Sequence, residues 1–315
     1  MITPILHHYD LSPFCEKIRL AMGLKDLDWI SVKVEAVPPR PMLDALTGGY
    51  RRLPVLQLGA DIFCDSALIF DVLERLKPMP TLYPQGEGIA KGLSMWWDRA
   101  TWIPAIGVLV AHVGEHLPQA FLDDRRENYL GIDISKPAMA PLLPAHVQQM
   151  ATMASWLDSM LRQGHDFLTG GQPSAADLTC HHSLWLLRAN AGAEVIDAQL
   201  GLSPRVVAWM ARVAALGHGR MTEMTPDQAV AAARKTRPDP ALLPEGDDPS
   251  SLKPGTEVTV TPDDNARVPV RGRLVAANSQ HVTVSVSGEA GDLHVHFPRA
   301  GFQTLPVSAD SRDAA

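Results

Sequence analysis

An apolar run, Pro4 to Leu6 followed by His7, His8 and Tyr9, gives way at Ser12-Pro13-Phe14-Cys15 to an amphipathic stretch. That junction commits the start of the chain to a strand-to-helix turn. Ser12 can cap a helix, and Pro13 suits its first turn, where no amide hydrogen is needed. Phe14, Ile18, Ala21 and Met22 then recur at helical spacing. The tetrapeptide has the form of a Cys-Pro-x-Cys redox motif whose first cysteine is serine. A group at such a helix start lies in partial positive charge among unpaired amide hydrogens, which stabilises a thiolate. Serine is a poor nucleophile without a base, but its hydroxyl can hydrogen-bond another molecule's thiolate. A plain helix start would use the same residues, so the second half of the signal must come from downstream.

It does. Arg52-Leu53-Pro54-Val55-Leu56 starts a short strand, Gly59-Ala60-Asp61 makes a turn, and Ile62-Phe63-Cys64 reads as the returning strand. Proline is tolerated at the first residue of a strand, and a cis bond fits Pro54. Asp65-Ser66 then caps a helix carried by Leu68, Ile69, Val72, Leu73 and Leu76. The order β-α-β-α-β-β-α accounts for Met1 to Lys77.

With that order and those motifs in place, the segment resembles the N-terminal thioredoxin-like domain of the cytosolic glutathione transferases, and is most similar to their serine-type classes. The resemblance implies glutathione as cosubstrate and a role for each matching position. Ser12 hydrogen-bonds the glutathione sulfur. Leu53, before a cis-Pro54, pairs its backbone with the cysteinyl part. Asp65 and Ser66 hold the γ-glutamyl end, and Arg52 meets the glycyl carboxylate, with Arg51 and Arg40 behind it. Tyr9 offers a second hydroxyl, as in tyrosine-type classes, and Cys15 departs from many relatives by retaining a thiol.

Composition sets the outer bounds. The chain has 315 residues, 46% hydrophobic and 20% charged, enough for two or three domains of a soluble protein. No apolar run is long enough to cross a bilayer and no basic-start signal peptide is evident, so no membrane role is expected. Three cysteines without paired spacing suggest a reduced, cytoplasmic protein. A net charge of −7 argues against a nucleic-acid partner. Adjacent histidines at His7-His8 and His181-His182 face different directions, which disfavours a metal site at either pair.

After a proline-rich linker, Pro78 to Pro84, helix patterns run from Ile89 to about Arg237. Pro104 is expected to bend or end the first of these helices. Trp96, Trp97 and Trp102 on it are candidates to line an apolar pocket, although a tryptophan stripe at helical spacing is more often core. Ser174 and Asp177 have capping-box spacing before a buried helix. This Ser-x-x-Asp resembles the folding motif of the glutathione-transferase helical domain. Met150, Met153, Ala154, Leu157, Met160 and Leu161 share one helix face, and Val206, Val207, Met210, Val213 and Ala214 another.

Beyond a Pro/Asp/Glu-rich linker, Arg237 to Pro254, the period changes to two. Val258 and Val260, Val268 and Val270, Leu274-Val275, the run Val282, Val284 and Val286, and the run Leu293, Val295 and Phe297 read as five short strands of a small β-barrel. The stretch to Leu305 resembles an extension found on a bacterial and fungal branch of these transferases. His294 and His296 share one strand face and Arg271 and Arg273 another; both read first as solvated sheet faces, with a ligand or partner site as the alternative. Residues from Val307 to Ala315 are expected to be disordered.

The fold class is therefore multidomain. A thioredoxin-like α/β glutathione-binding domain spans 1–77, an all-α domain 88–237, and a small all-β barrel 254–307. The resemblance implies an enzyme that conjugates the glutathione thiolate to a small electrophile in the cleft between the first two domains, as a homodimer. Two alternatives stay open: thiol-disulfide exchange through Cys15, and a non-catalytic binding scaffold. The linker makes the barrel an appendage whose removal should leave glutathione binding intact.

Overall fold

A computed structural model describes residues 2–162 and 164–307. The tail expected to be disordered lies, apart from Val307, outside the described residues. The chain divides into two compact units that do not follow chain order: residues 1–10, 28–71 and 221–315 form a sheet unit, and residues 11–27 and 72–220 a helical unit.

In the sheet unit, β1 (Ile5–His8), β2 (Asp28–Lys33), β3 (Val55–Leu58) and β4 (Asp61–Cys64) make the expected four-stranded arrangement, with α2 (Pro41–Thr47) between β2 and β3. The element α1 (Pro13–Leu24), between β1 and β2, belongs to the helical unit. β1 runs parallel to β2 and antiparallel to β3, and β3 pairs antiparallel with β4. α3 (Ser66–Leu76) follows.

The extension does not stand apart from this sheet. β6 (Glu257–Pro262), β7 (Val270–Ala277), β8 (His281–Gly288), β9 (Gly291–Pro298) and β10 (Phe302–Pro306) continue it. Together with β5 (Arg220–Glu223), the order is β10-β6-β7-β8-β9-β4-β3-β1-β2-β5. The joint is a parallel pairing of β4 with β9, Asp61 opposite His294 and Phe63 opposite His296. One continuous core explains the fusion. Leu43, Leu46, Tyr50, Ile62 and Cys64 pack in a single cluster with Val258, Val270, Val284, Val295 and Phe297. At the end of α2, Gly48 has φ +67, and a Cβ there would meet Val270 Cγ1 at 3.1 Å. Glycine allows both the left-handed turn and the close approach.

The strand count of the extension matches the sequence reading, but the strands differ. Val268 lies outside any strand, while Val270 and Leu274-Val275 fall on one strand, β7. The fifth strand is β10, which has little apolar alternation. β5 was also not expected, whereas α11 (Pro226–Arg234) falls within the helical pattern read up to Arg237. All four residues of β5 are exposed, so no burial pattern marks it. The supposed linker is pinned to the sheet: Asp239 N–H donates to Asp61, Asn278 Nδ2 to the Glu245 carbonyl, and Arg299 to Asp248.

The helical unit contains α1, α4 (Glu87–Val113), α5 (Gln119–Asp124), α6 (Lys136–Met139), α7 (Leu143–Leu161), α8 (Ala175–Ala191), α9 (Ala193–Leu200) and α10 (Pro204–Ala214). α4 does not end at Pro104 but continues past it as one 27-residue helix. Burial of Trp97, Thr101, Ala105 and Val108 on both sides of the proline outweighs one lost amide bond. α8 lies at the centre, with Ala175 to Leu184 buried without interruption. Its capping box forms as read: Asp177 N–H donates to Ser174 Oγ, and Ser174 N–H to Asp177 Oδ2 at 3.0 Å. Asp177 also accepts from Leu168 N–H and Trp209 Nε1, so the cap ties α8 to α10.

Candidate functional site

Ser12 ends an extended segment at φ −75, ψ 122 and caps α1, its Oγ accepting the Cys15 amide hydrogen at 3.2 Å. It is almost wholly buried. Its hydroxyl hydrogen is still a donor, because the cap uses only the oxygen's lone pair. The next turn of α1 is held by charge. Lys17 Nζ donates to Asp98 Oδ2 and His182 Nε2 meets Asp98 Oδ1, both at 2.7 Å. Burial alone would raise the Asp98 pKa, but Lys17 and His182 outweigh it and hold Asp98 below the usual carboxylate range. Phe14 packs edge-on to Trp102 and against the His182 ring. Sequence reasoning missed this triad of two buried bases and a half-buried carboxylate, since its members lie on three helices far apart in the chain.

Cys15 is fully buried one turn into α1, as are Cys64 and Cys180 in their own elements. Burial pushes the Cys64 and Cys180 thiols well above their ordinary value. Tyr9 is half-buried in the sheet unit.

The remaining predicted residues gather within the sheet unit at one end of the β3–β4 hairpin. Val55 pairs with Cys64, which sets Leu53-Pro54 beside Asp65-Ser66. The Leu53-Pro54 bond is cis. Asp65 has φ 77, unusual for a residue with a side chain, and its Oδ1 accepts the Ala67 amide hydrogen at 2.9 Å. Backbone strain of this kind concentrates at ligand-binding sites. Ser66 opens α3 and is buried. Arg52 is different. Its guanidinium donates to Asp264 and to the Asn265 carbonyl, both from the extension. Arg40 is likewise engaged, donating to the Arg51 carbonyl at 2.6 Å.

Of the tryptophans, Trp97 is core, fully buried with Nε1 donating to Ser183 Oγ at 2.9 Å. Trp96 is exposed and packs on Trp156 and Trp97, and Trp102 borders a cluster containing Ile106 and Val110. The extension's polar faces also split. Arg271 and Arg273 are solvated beside Glu257, as expected. His296 is fully buried and His294 largely covered, which corrects their reading as a solvated face.

Comparisons with known proteins agree with this geometry. Residues 6–81 match the glutathione S-transferase N-terminal domain and residues 140–212 the C-terminal domain of that family. A GST-like protein from Pseudomonas syringae is 34% identical, with a TM-score of 0.78 over 98% of this chain and 100% of its own. The chain belongs to the glutathione S-transferase superfamily.

A glutathione S-transferase from Rhodospirillum rubrum (22% identity, TM-score 0.51) covers 67% of this chain and 88% of its own. The transferase GSTFuA3 from Phanerochaete chrysosporium (20%, 0.54) covers 69% and 98%. These two share the fold and leave about a third of this superfamily member unmatched, whereas the Pseudomonas protein spans nearly all of it, C-terminal strands included. Among curated proteins, none matches. No helix among the described residues is long and apolar enough to cross a membrane.

Proposed function

We propose that this superfamily member is a glutathione transferase in which Ser12 donates its hydroxyl hydrogen to the glutathione sulfur. The carrying observation is the Ser12 cap on α1: the hydroxyl sits at the positive end of a helix with its hydrogen still to give. Loss of the thiol proton to solvent leaves a thiolate, which that hydrogen bond and the helix start stabilise. Each pKa unit of lowering corresponds to about 1.4 kcal/mol. The thiolate attacks an electrophilic carbon of a small molecule: the C–S bond forms as a leaving group departs with its electron pair, or as an activated double bond opens and its far carbon takes a proton from solvent. No side chain becomes covalent, so catalysis rests on ionising and positioning the sulfur.

Leu53 pairs with the cysteinyl backbone, and Asp65 and Ser66 hold the γ-glutamyl amine and carboxylate. The strained backbone at Asp65 supports that assignment. Arg52, whose Nη2 is engaged by Asp264, would meet the glycyl carboxylate in competition with that carboxylate or through its other donors. The expected assembly is a cytoplasmic homodimer, checked by light scattering.

Calorimetric titration with glutathione and S-hexylglutathione tests binding; failure of both to bind would favour a scaffold. Ser12→Ala tests the chemistry. A hydrogen bond to a charged group contributes about 1.5–3 kcal/mol, so turnover should fall roughly ten- to a hundredfold with glutathione affinity nearly unchanged. Cys15→Ser should be almost silent because that thiol is fully buried. The reverse pattern would replace conjugation by thiol-disulfide exchange.

A further inference from the structure

Three side chains from two strands remote in sequence converge where the extension joins the sheet. Asp61 on β4 and His294 and His296 on β9 place one donor atom each within 4.8 Å of one another. His296 Nε2 lies 2.9 Å from Asp61 Oδ1, and His294 Nδ1 lies 3.7 Å from the same oxygen. Asp61 and His296 are almost wholly buried, whereas the His294 side chain keeps 18% of its surface exposed. His294 Nδ1 is itself buried and has no hydrogen-bond partner among the described residues. A buried polar atom left in that state is costly and calls for a reason.

The surroundings hold the donors in place. His296 Nδ1 meets Thr283 Oγ1 and His281 Nε2, each at 3.0 Å. Phe63 stacks on the His296 ring with centroids 4.3 Å apart. The second oxygen of Asp61 accepts the Asp239 amide hydrogen at 2.8 Å. Outer partners that fix the far nitrogen of an imidazole and the far oxygen of a carboxylate are what orient metal ligands. A tetrahedral ion with ligands at about 2.0–2.1 Å sets donors roughly 3.3 Å apart. The observed separations of 2.9 and 3.7 Å lie on either side of that spacing. Two imidazoles and one carboxylate suit a borderline first-row cation, not calcium or magnesium, which take oxygen-rich shells.

We infer that Asp61, His294 and His296 bind one zinc-class divalent cation, with water in the fourth position reached past the exposed edge of His294. Binding displaces the proton shared between His296 and Asp61 to solvent and gives His294 Nδ1 its partner. The ion clasps β9 to β4, joining residues more than two hundred positions apart. Because it binds only the folded chain, it stabilises the sheet unit by mass action.

The test uses the full chain, stripped with a chelator and without glutathione, titrated with Zn²⁺ by calorimetry and with Co²⁺ by visible absorption. One ion per chain, tetrahedral Co²⁺ bands and a melting temperature raised by several degrees are expected. His294→Ala, at the partly exposed rim where folding should survive, should weaken Zn²⁺ binding at least tenfold and abolish the rise. Asp61→Asn should weaken binding as well. Absence of binding to the wild-type chain, or equal affinity in His294→Ala, overturns the assignment. The readouts involve no glutathione chemistry, so failure here and failure of the transferase reading are separate results.

Discussion

Asp177 in the helical unit and Asp61 in the sheet unit are both buried carboxylates whose pKa burial raises, to about 6 for Asp61. Their partners differ. Asp177 receives four hydrogen bonds, from the Leu168 and Ser174 amides, the Ser174 hydroxyl and the Trp209 indole, two of them from a residue three positions away. Asp61 meets the Asp239 amide and two imidazoles that lie more than two hundred residues along the chain. A carboxylate closed by four neutral donors is a fold staple. One facing imidazoles, with a buried ring nitrogen unsatisfied beside it, is arranged for a cation.

Removing the distant partners altogether should have the largest effect. Truncation after Arg237 deletes β6 to β10 and uncovers Leu43, Leu46, Tyr50 and Ile62 from their shared core. The structure therefore reverses the expectation of a dispensable appendage. The truncated chain should be insoluble or lack cooperative unfolding, read from soluble yield and near-UV circular dichroism. A soluble product that melts like the intact protein would break the comparison, because the sheet unit would then not need its distant partners.

The two aspartates can be set against each other directly. Asp177→Ala strands several buried donors and should cost about 3–5 kcal/mol. In chelator, Asp61→Ala should cost about 1–3 kcal/mol, because it breaks fewer bonds. Urea denaturation of both variants measures the difference. Equal costs would mean that Asp61 is as tightly closed a staple as Asp177.

A smaller effect sharpens the same contrast at another long-range contact. His7 bonds Gln57, whose amide also donates to the Ala229 carbonyl on α11. Burial, partly offset by Gln57, lowers the His7 pKa from 6.5 to about 4. Between those values the unfolded chain takes up a proton that the folded chain refuses, so stability contributed by neutral His7 is lost as pH falls. At pH 5, about 1.5 units below the unfolded value, this amounts to roughly 2 kcal/mol. The stability gap between wild type and His7→Asn should narrow by about that amount from pH 7 to pH 5. A constant gap would show that His7 is not held neutral.

Local chemistry made much of this readable. Ser12-Pro13, Asp65-Ser66 and Ser174-x-x-Asp177 are caps, formed within a turn of the chain, and each appears where its residues indicate. Helix faces followed the same rule in part: Met150, Ala154, Leu157 and Leu161 are buried and Met153 and Met160 half-buried, whereas Ala214 on the second face is exposed. At Pro104 the local penalty is outweighed by burial on both sides of it, which no short window of sequence displays. β5 carried no pattern because its residues are solvent-exposed.

The thioredoxin-like order of elements, the capped helix starts and the β-rich character of the extension are legible along the chain, since these depend on neighbours within a few residues. Long-range packing settles that the extension's strands join the first sheet at β4 and β9. It alone drew Arg52 to Asp264 and buried His296 against Asp61. Strand pairing and polar burial depend on which distant surfaces meet. Asp61 looks like a turn residue, and His294 and His296 like a wet strand face, until β9 is laid beside β4 and water is excluded from the contact.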